Sequence, residues 1–172
     1  MTVIHSFLPV IKPGANILIL GSMPGKQSLQ VDQYYAHPRN TFWRIFCNLF
    51  NIDEKLILGV DKYKEKIARL EEANIALWDV LQSCTRESSL DADIIESSII
   101  ANDFSTFFNT HQSIRHIYFN GAKAEQLYKR HVIPTLSDQQ SQLPMTRLPS
   151  TSPAYAAMCF QEKMQEWRLI KH

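Results

Sequence analysis

The 172-residue chain has few cysteines and none in pairs: Cys47, Cys84 and Cys159 are odd in number, far apart and without a C-x-x-C spacing. That excludes a disulfide framework and the usual zinc and iron–sulfur ligand sets, and leaves three thiols expected to be buried. There is no charge excess either. A formal net charge of +1 excludes a strongly basic coat, so nucleic-acid contact has to come from local groups of Lys and Arg. Lys12, Lys26, Arg39, Arg44, Lys123 and Arg147 are the candidates, against the plainer reading that they are solvated surface charges. The start, MTVIHSFLPVIKP, has neither a basic n-region nor an apolar run long enough to span a membrane. The protein is therefore expected to be intracellular and cytoplasmic, without membrane contact. The phosphate-loop pattern G-x-x-x-x-G-K-[ST] is missing. So is G-x-S-x-G, and no His/Asp partner order supports Ser22 or Ser28 as a hydrolase nucleophile. No internal repeat or linker divides the chain.

What is present is an ordinary globular composition, 45% hydrophobic and 20% charged, at a length that suits one domain over 1–172. Short apolar runs alternate with helical periodicities. Ile17–Leu20 reads as a buried strand, followed by a long loop. Asn40 or Thr41 can then cap a helix with Phe42, Trp43, Phe46, Leu49 and Phe50 on its core face. Residues 61–74 read as an amphipathic helix and 75–80 as a second strand ending in the polar run 82–87, whose end can reach the same edge; Asp91 can cap a short turn, and 103–108 reads as a helix carrying aromatic core residues. Ile114–Phe119 is a third strand, stopped by Asn120-Gly121 and followed by a helix to Val132. After a polar connection over 134–142, Met145–Leu148 is a fourth strand. Ser152 as N-cap and Pro153 at the first helical position start the last helix. The alternation predicts a three-layer α/β/α sandwich with a mainly parallel sheet of about four strands.

In such sheets ligands bind beyond the carboxyl ends of the strands. Three strand ends send polar groups there: Gly21 to Asn40, with Ser22, Met23, Tyr34, Tyr35, His37 and Arg39; Asn120-Gly121; and Ser150-Thr151-Ser152. Each has a plain reading beside the functional one. Asn40 fits a helix cap, Tyr35 core packing, Asn120 a left-handed turn, His37 a turn before Pro38, and Ser152 a helix cap. Asp79, ending the second strand, reads as buried and hydrogen-bonded to nearby backbone.

The segment GSMPG followed by YAHPRNTFW, with STSPA near the end, resembles the uracil-DNA glycosylase superfamily. It looks closest to the mismatch-specific uracil enzymes, whose pattern is similar to GINPG followed by FAHPxNxFW, and most like the hypoxanthine-DNA (deoxyinosine) glycosylase branch. Met23 stands where the mismatch-specific enzymes carry a catalytic Asn, and no Asp occupies this motif as it does in the classical uracil enzymes. In the hypoxanthine branch the functional Asn lies at the position matching Asn40. The resemblance therefore implies Asn40 as the catalytic residue, holding water or substrate near the anomeric carbon. It implies Tyr35 as the aromatic stacked on an extruded base, Asn120 as the reader of the base edge, and backbone around Ser22 and Met23 as further base contacts. Ser150, Thr151 and Ser152, with His37 and Arg39, would grip the DNA strand. The last loop lacks the His found in many relatives.

As a whole the resemblance implies a monomeric DNA glycosylase acting on DNA with deaminated bases, preferably hypoxanthine, and leaving an abasic site. It is monofunctional, since no Lys stands at a matched catalytic position, and needs neither cofactor nor metal. A uracil or mismatch specificity is the first alternative. A non-catalytic nucleic-acid-binding module, favoured by Met23, is the second.

Overall fold

Ile17 and Ile19 face one side of a sheet and Leu18 and Leu20 the other, and all four are buried. A strand buried on both faces needs a layer of helices on each side. The computed structural model, which describes residues 2–171, has that arrangement. Its strands are β1 (Val3–His5), β2 (Ile17–Gly21), β3 (Ile75–Asp79), β4 (Leu81–Thr85), β5 (Ile100–Ala101), β6 (His116–Asn120) and β7 (Met145–Leu148). The central sheet has the order β3-β2-β6-β7 and all its pairings are parallel. The sandwich with four parallel strands is as expected.

The helices are α1 (Lys26–Val31), α2 (Phe42–Phe50), α3 (Glu54–Ile57), α4 (Tyr63–Glu72), α5 (Phe104–Thr110), α6 (Ala122–Leu127), α7 (Asp138–Ser141) and α8 (Phe160–Trp167). On one face, Ile17, Ile19, Ile75, Leu77 and Tyr118 pack with Phe42, Phe46, Leu70 and Trp167 from α2, α4 and α8. On the other, Leu18, Leu20, Trp78, Ile117 and Phe119 pack with Phe104, Phe107, Leu127 and Tyr128. Burying each such side chain is worth roughly 1.5–3 kcal/mol, so both layers are held by the sheet they cover.

Several local expectations are corrected. The polar run 82–87, read as the end of the second strand, instead falls largely in a strand of its own: β4 pairs antiparallel with β1 and β5 in a second, three-stranded sheet. The long loop after β2 contains α1, and the polar connection after Val132 contains α7, which is held by a reciprocal Ser137–Gln140 capping box. The last helix starts at Phe160, not at Pro153. Glu162 accepts from the Cys159 backbone N–H at 2.7 Å and closes a capping box there, while residues 153–159 form turns and bends. Cys47 and Cys84 are buried as expected, but Cys159, at this N-cap, is exposed.

The chain order places a topological switch between β2 and β6. After β2 the chain goes on to β3 on one side; after β6 it goes on to β7 on the other. The crevice between the two departing connections is where such folds bind ligands.

Candidate functional site

That crevice holds a cavity of about 650 Å³, lined from the first strand end by Gly21–Ser28, from the following loop by Tyr34, Tyr35, His37, Arg39 and Asn40, and from the last loop by Ser150–Ala154. Asp79, Asn120 and Ser89–Asp91 complete it. Every site residue singled out from the sequence thus reaches one cleft. Lys26 and Arg39 are the basic residues in its lining, whereas Arg44 and Arg147 pair with Glu54 and Glu125.

Strand register explains the floor. Gly21 lies opposite Asp79, and Asn120 follows Phe119, the partner of Leu20, so Asp79, Gly21 and Asn120 form one row at the carboxyl edge. Gly21 leaves room for its neighbours: a Cβ there would lie 2.5 Å from Asp79 Oδ1 and 3.4 Å from the Tyr35 hydroxyl. Gly121 follows with φ +99°, a left-handed conformation that glycine tolerates, and a Cβ would meet Ser150 Cβ at 3.0 Å. The turn is thus made by Gly121 itself, which leaves Asn120 at the end of a strand.

Two indoles anchor the walls. Trp43 on α2 donates to the Tyr34 carbonyl, and Trp167 on α8 to the Pro149 carbonyl, each at 2.9 Å. Tyr34 is core, its hydroxyl bonded to the Leu8 carbonyl. Tyr35, with φ +56°, turns the other way and stacks on Phe42 with centroids 4.2 Å apart. Its hydroxyl lies near Asn120 but outside hydrogen-bonding geometry, and it has no partner among the described residues. Burial, followed by the nearby Asp79 carboxyl, holds the phenol well above its ordinary range.

Asn40 sits before α2, and its Oδ1 accepts from the Phe42 N–H at 3.0 Å. The side-chain oxygen therefore serves the helix start, while the Nδ2 donors are left for the cleft. His37 makes the turn that presents it: its carbonyl accepts from the Asn40 N–H at 2.8 Å and its Nδ1 from the Arg39 N–H at 3.0 Å. Thr151 is buried and bonded at both its N–H and its hydroxyl to Asn120. Its carbonyl accepts from the Thr41 N–H at 3.0 Å, which ties the last loop to α2. Ser150 Oγ accepts from Ser152 N, and Ser152 Oγ from Ala154 N, both at 3.2 Å. These hydroxyls therefore shape a turned loop and do not stand at the N-terminus of the last helix, which begins only at Phe160.

The Ser22 hydroxyl donates to Asp91 at 2.6 Å, and the Met23 side chain is buried in the core, so it is their backbone that borders the cavity. Asp91 lines the cavity and Arg86 supports that wall from behind, although neither is among the site residues singled out from the sequence. Arg86 is buried, donates to the Pro24 carbonyl and approaches Asp91 at 3.6 Å. The signal available is a Ser, an Arg and an Asp beyond one strand, too common a combination to single out. Asp79 is buried as expected, but the backbone hydrogen bonds expected of its carboxylate are not made: Oδ2 has no partner among the described residues. Burial, then the like charge of Asp91, pushes its pKa up to about 8 against the opposing pull of Arg86.

The uracil DNA glycosylase superfamily model matches residues 8–170. The chain belongs to the uracil DNA glycosylase superfamily. A hypoxanthine DNA glycosylase of Methanosarcina barkeri is 36% identical over 120 residues, which are 70% of this chain and 72% of that protein. A hypoxanthine DNA glycosylase of Methanosarcina acetivorans is 34% identical over 141 residues, 77% of this chain and 85% of its own. A solution NMR structure of a candidate uracil DNA glycosylase from M. acetivorans superposes with a TM-score of 0.76 at 31% identity, covering 99% of this chain and all of the other.

Proposed function

We propose that the chain is a monofunctional DNA glycosylase that takes a deaminated base, preferably hypoxanthine, out of the stack and hydrolyses its N-glycosidic bond. The observation that carries this reading is the convergence of Tyr35, Asn40 and Asn120 on one cavity at the switch point of a superfamily fold. The two hypoxanthine DNA glycosylases among its relatives favour the same base.

In the reaction the C1′–N bond breaks with its electron pair passing to the base, and a water oxygen bonds to C1′. The sugar becomes positive and the base negative on the way, so positioned dipoles lower the barrier without a strong base. Asn40 Nδ2 positions the water or the sugar at the mouth of the cleft, while its Oδ1 remains on the Phe42 N–H. The open face of Tyr35 takes the base, its other face being backed by Phe42. Asn120, fixed by Thr151, retains one N–H and one lone pair for the base edge. His37, Arg39, Ser150 and Ser152 face the strand carrying that nucleotide, and Thr151 acts by bracing. In this reading the protein acts as a monomer on DNA inside the cell. Among the described residues no helix is long and apolar enough to cross a membrane.

Single-turnover excision from matched oligonucleotides containing hypoxanthine, uracil, xanthine or a normal base tests the reading. Hypoxanthine is expected to be released fastest, and Asn40→Ala to abolish release in a folded protein. Faster uracil release would move the specificity to uracil; DNA binding with no release of any base would overturn the enzyme reading.

A further inference from the structure

We infer that Arg86, buried behind the first turn of the cleft, is a positioning residue for base release: it holds the Pro24 carbonyl back, so that the backbone N–H groups of Ser22, Met23 and Gly25 face the departing base and stabilise the negative charge it takes up. The inference rests on the reading of the cleft as a base-excision site and adds to it what holds the leaving-group side in place.

Three observations lead to Arg86. The first is how the turn is tied. The segment after β4 grips alternate residues of it: Asp91 accepts from the Ser22 hydroxyl, Arg86 Nη2 donates to the Pro24 carbonyl, and Ser89 Oγ accepts from the Lys26 N–H at 3.1 Å. The second is where the carbonyls go. That of Gly21 accepts from the Val80 N–H at 2.9 Å, that of Ser22 from the Leu81 N–H at 3.2 Å, and that of Pro24 from Arg86. In a trans peptide the C=O of one residue and the N–H of the next point in opposite directions, so the N–H groups of Ser22, Met23 and Gly25 turn away from those three donors. None of the three has a backbone acceptor among the described residues, and all three residues line the cavity. The third is Arg86 itself. Its side chain is 1% exposed, its Nε and Nη1 have no hydrogen-bond partner among the described residues, and Nη1 approaches Asp91 only to 3.6 Å. A buried guanidinium so sparsely paired costs desolvation that folding alone does not recover.

When the C1′–N bond breaks, its electron pair stays with the base, and that charge is met best by dipoles already aimed at it. The basic side chains of the lining, Lys26, His37 and Arg39, lie outside the strand-end row of Asp79, Gly21 and Asn120, and Asp91 brings a carboxyl to the same wall. The N–H groups of the turn are the donors that remain. Val80 and Leu81 fix its first two peptides from the start of β4, whereas the Pro24–Gly25 peptide lies beyond them and is held by Arg86. A charged donor on that carbonyl also polarises the peptide and strengthens the Gly25 N–H. Asp91, between the guanidinium and the Ser22 hydroxyl, keeps the two ends of the clamp in register. Arg86 thus acts through the turn, without touching the base.

The test is single-turnover hypoxanthine release at saturating enzyme by wild type, Arg86→Met and Arg86→Lys. Affinity for an oligonucleotide carrying non-cleavable 2′-fluoro-2′-deoxyinosine is measured in parallel, and circular dichroism checks the fold. Arg86→Met fills the space without a donor or a charge, and is expected to slow release on the order of 100-fold. Its affinity for the uncleaved analogue, whose base carries no developing charge, should stay within about threefold of wild type. Arg86→Lys, which restores a charged donor for the Pro24 carbonyl, should recover at least about tenfold of the lost rate. If Arg86→Met does not fold, Arg86→Met/Asp91→Asn, which leaves no carboxylate stranded beside the apolar side chain, takes its place with the same expectations. Release by the Met variant at the wild-type rate overturns the assignment. So does a parallel loss of rate and affinity, or an Arg86→Lys variant as slow as Arg86→Met, since either would mark a merely structural role. Absence of base release by wild type overturns the excision reading beneath it, a result distinct from release that ignores Arg86.

Discussion

Asn120 and Thr151 hold each other at both ends of one amide: Nδ2 donates to Thr151 Oγ1 and Oδ1 accepts from the Thr151 N–H, each at 2.9 Å. The pair joins the end of β6 to the loop after β7. Through the Thr151 carbonyl, which accepts from Thr41, it also joins that loop to the start of α2. The amide is thereby fixed in one orientation, oxygen and nitrogen assigned, before any ligand arrives. Such pre-organisation is what a reader of base edges needs.

Thr151→Val should release that orientation. It keeps the shape but leaves Asn120 Nδ2 without its acceptor, at a cost of about 1–3 kcal/mol in urea unfolding. Hypoxanthine release should slow, and Thr151→Ser should restore it. A Thr151→Val variant with unchanged stability and rate would remove the bracing role.

The helix-start bond of Asn40 and the role proposed for it in the cleft fall on two different atoms, and substitutions can separate them. Asn40→Ala loses the acceptor for the Phe42 N–H and should cost about 1 kcal/mol of stability along with the activity. Asn40→Asp keeps that acceptor and should fold as stably as wild type, yet it lacks the N–H donors and should release hypoxanthine far more slowly. Thermal unfolding and single-turnover rates, measured on both variants, check the separation; equal activity in Asn40→Asp and wild type would contradict it.

How much of this was legible in the sequence depends on how local each signal is. The buried run Ile17–Leu20 and the Gly break after it are local, and they place the central strand and the cleft. The small second sheet was not legible, because β1 and β5 have three and two residues and β4 carries a polar pattern, Leu-Gln-Ser-Cys-Thr, whose burial depends on distant partners. Ser152-Pro153 misplaces the start of α8 because it is a strong local signal. The operative cap pairs Cys159, a residue type rarely found there, with Glu162. Asp79 reads as buried from its strand alone, but its lack of partners is set by register and by Gly21, Arg86 and Asp91, which come from other segments.

Gly21→Ala tests the crowding on that row. The added methyl would stand 2.5 Å from Asp79 Oδ1, a side-chain atom that can swing aside. The stability cost should therefore be modest, about 1 kcal/mol. The loss of hypoxanthine release should be much larger, because Asp79 and Tyr35, which border the added methyl, both line the cavity. A variant as active as wild type would show that the row tolerates displacement.

Asp79 also ties stability to pH. Its carboxyl ionises near 3.8 in an unstructured chain and at about 8 in the fold, so between those values the folded protein keeps a proton that the unfolded chain has lost. Folding takes that proton up, so the stability this group contributes is complete below about pH 4 and declines as the pH rises towards 8. Asp91, raised chiefly by burial, adds a slope of the same sign. Asp79→Asn removes the larger contribution, so the variant should match wild type near pH 4 and exceed it at about pH 8, by on the order of 2 kcal/mol or more. Urea unfolding at both pH values decides it. A variant less stable than wild type at the higher pH would mean that Asp79 is ionised and well paired in the fold, and the neutral acid at the floor of the cleft would have to be given up.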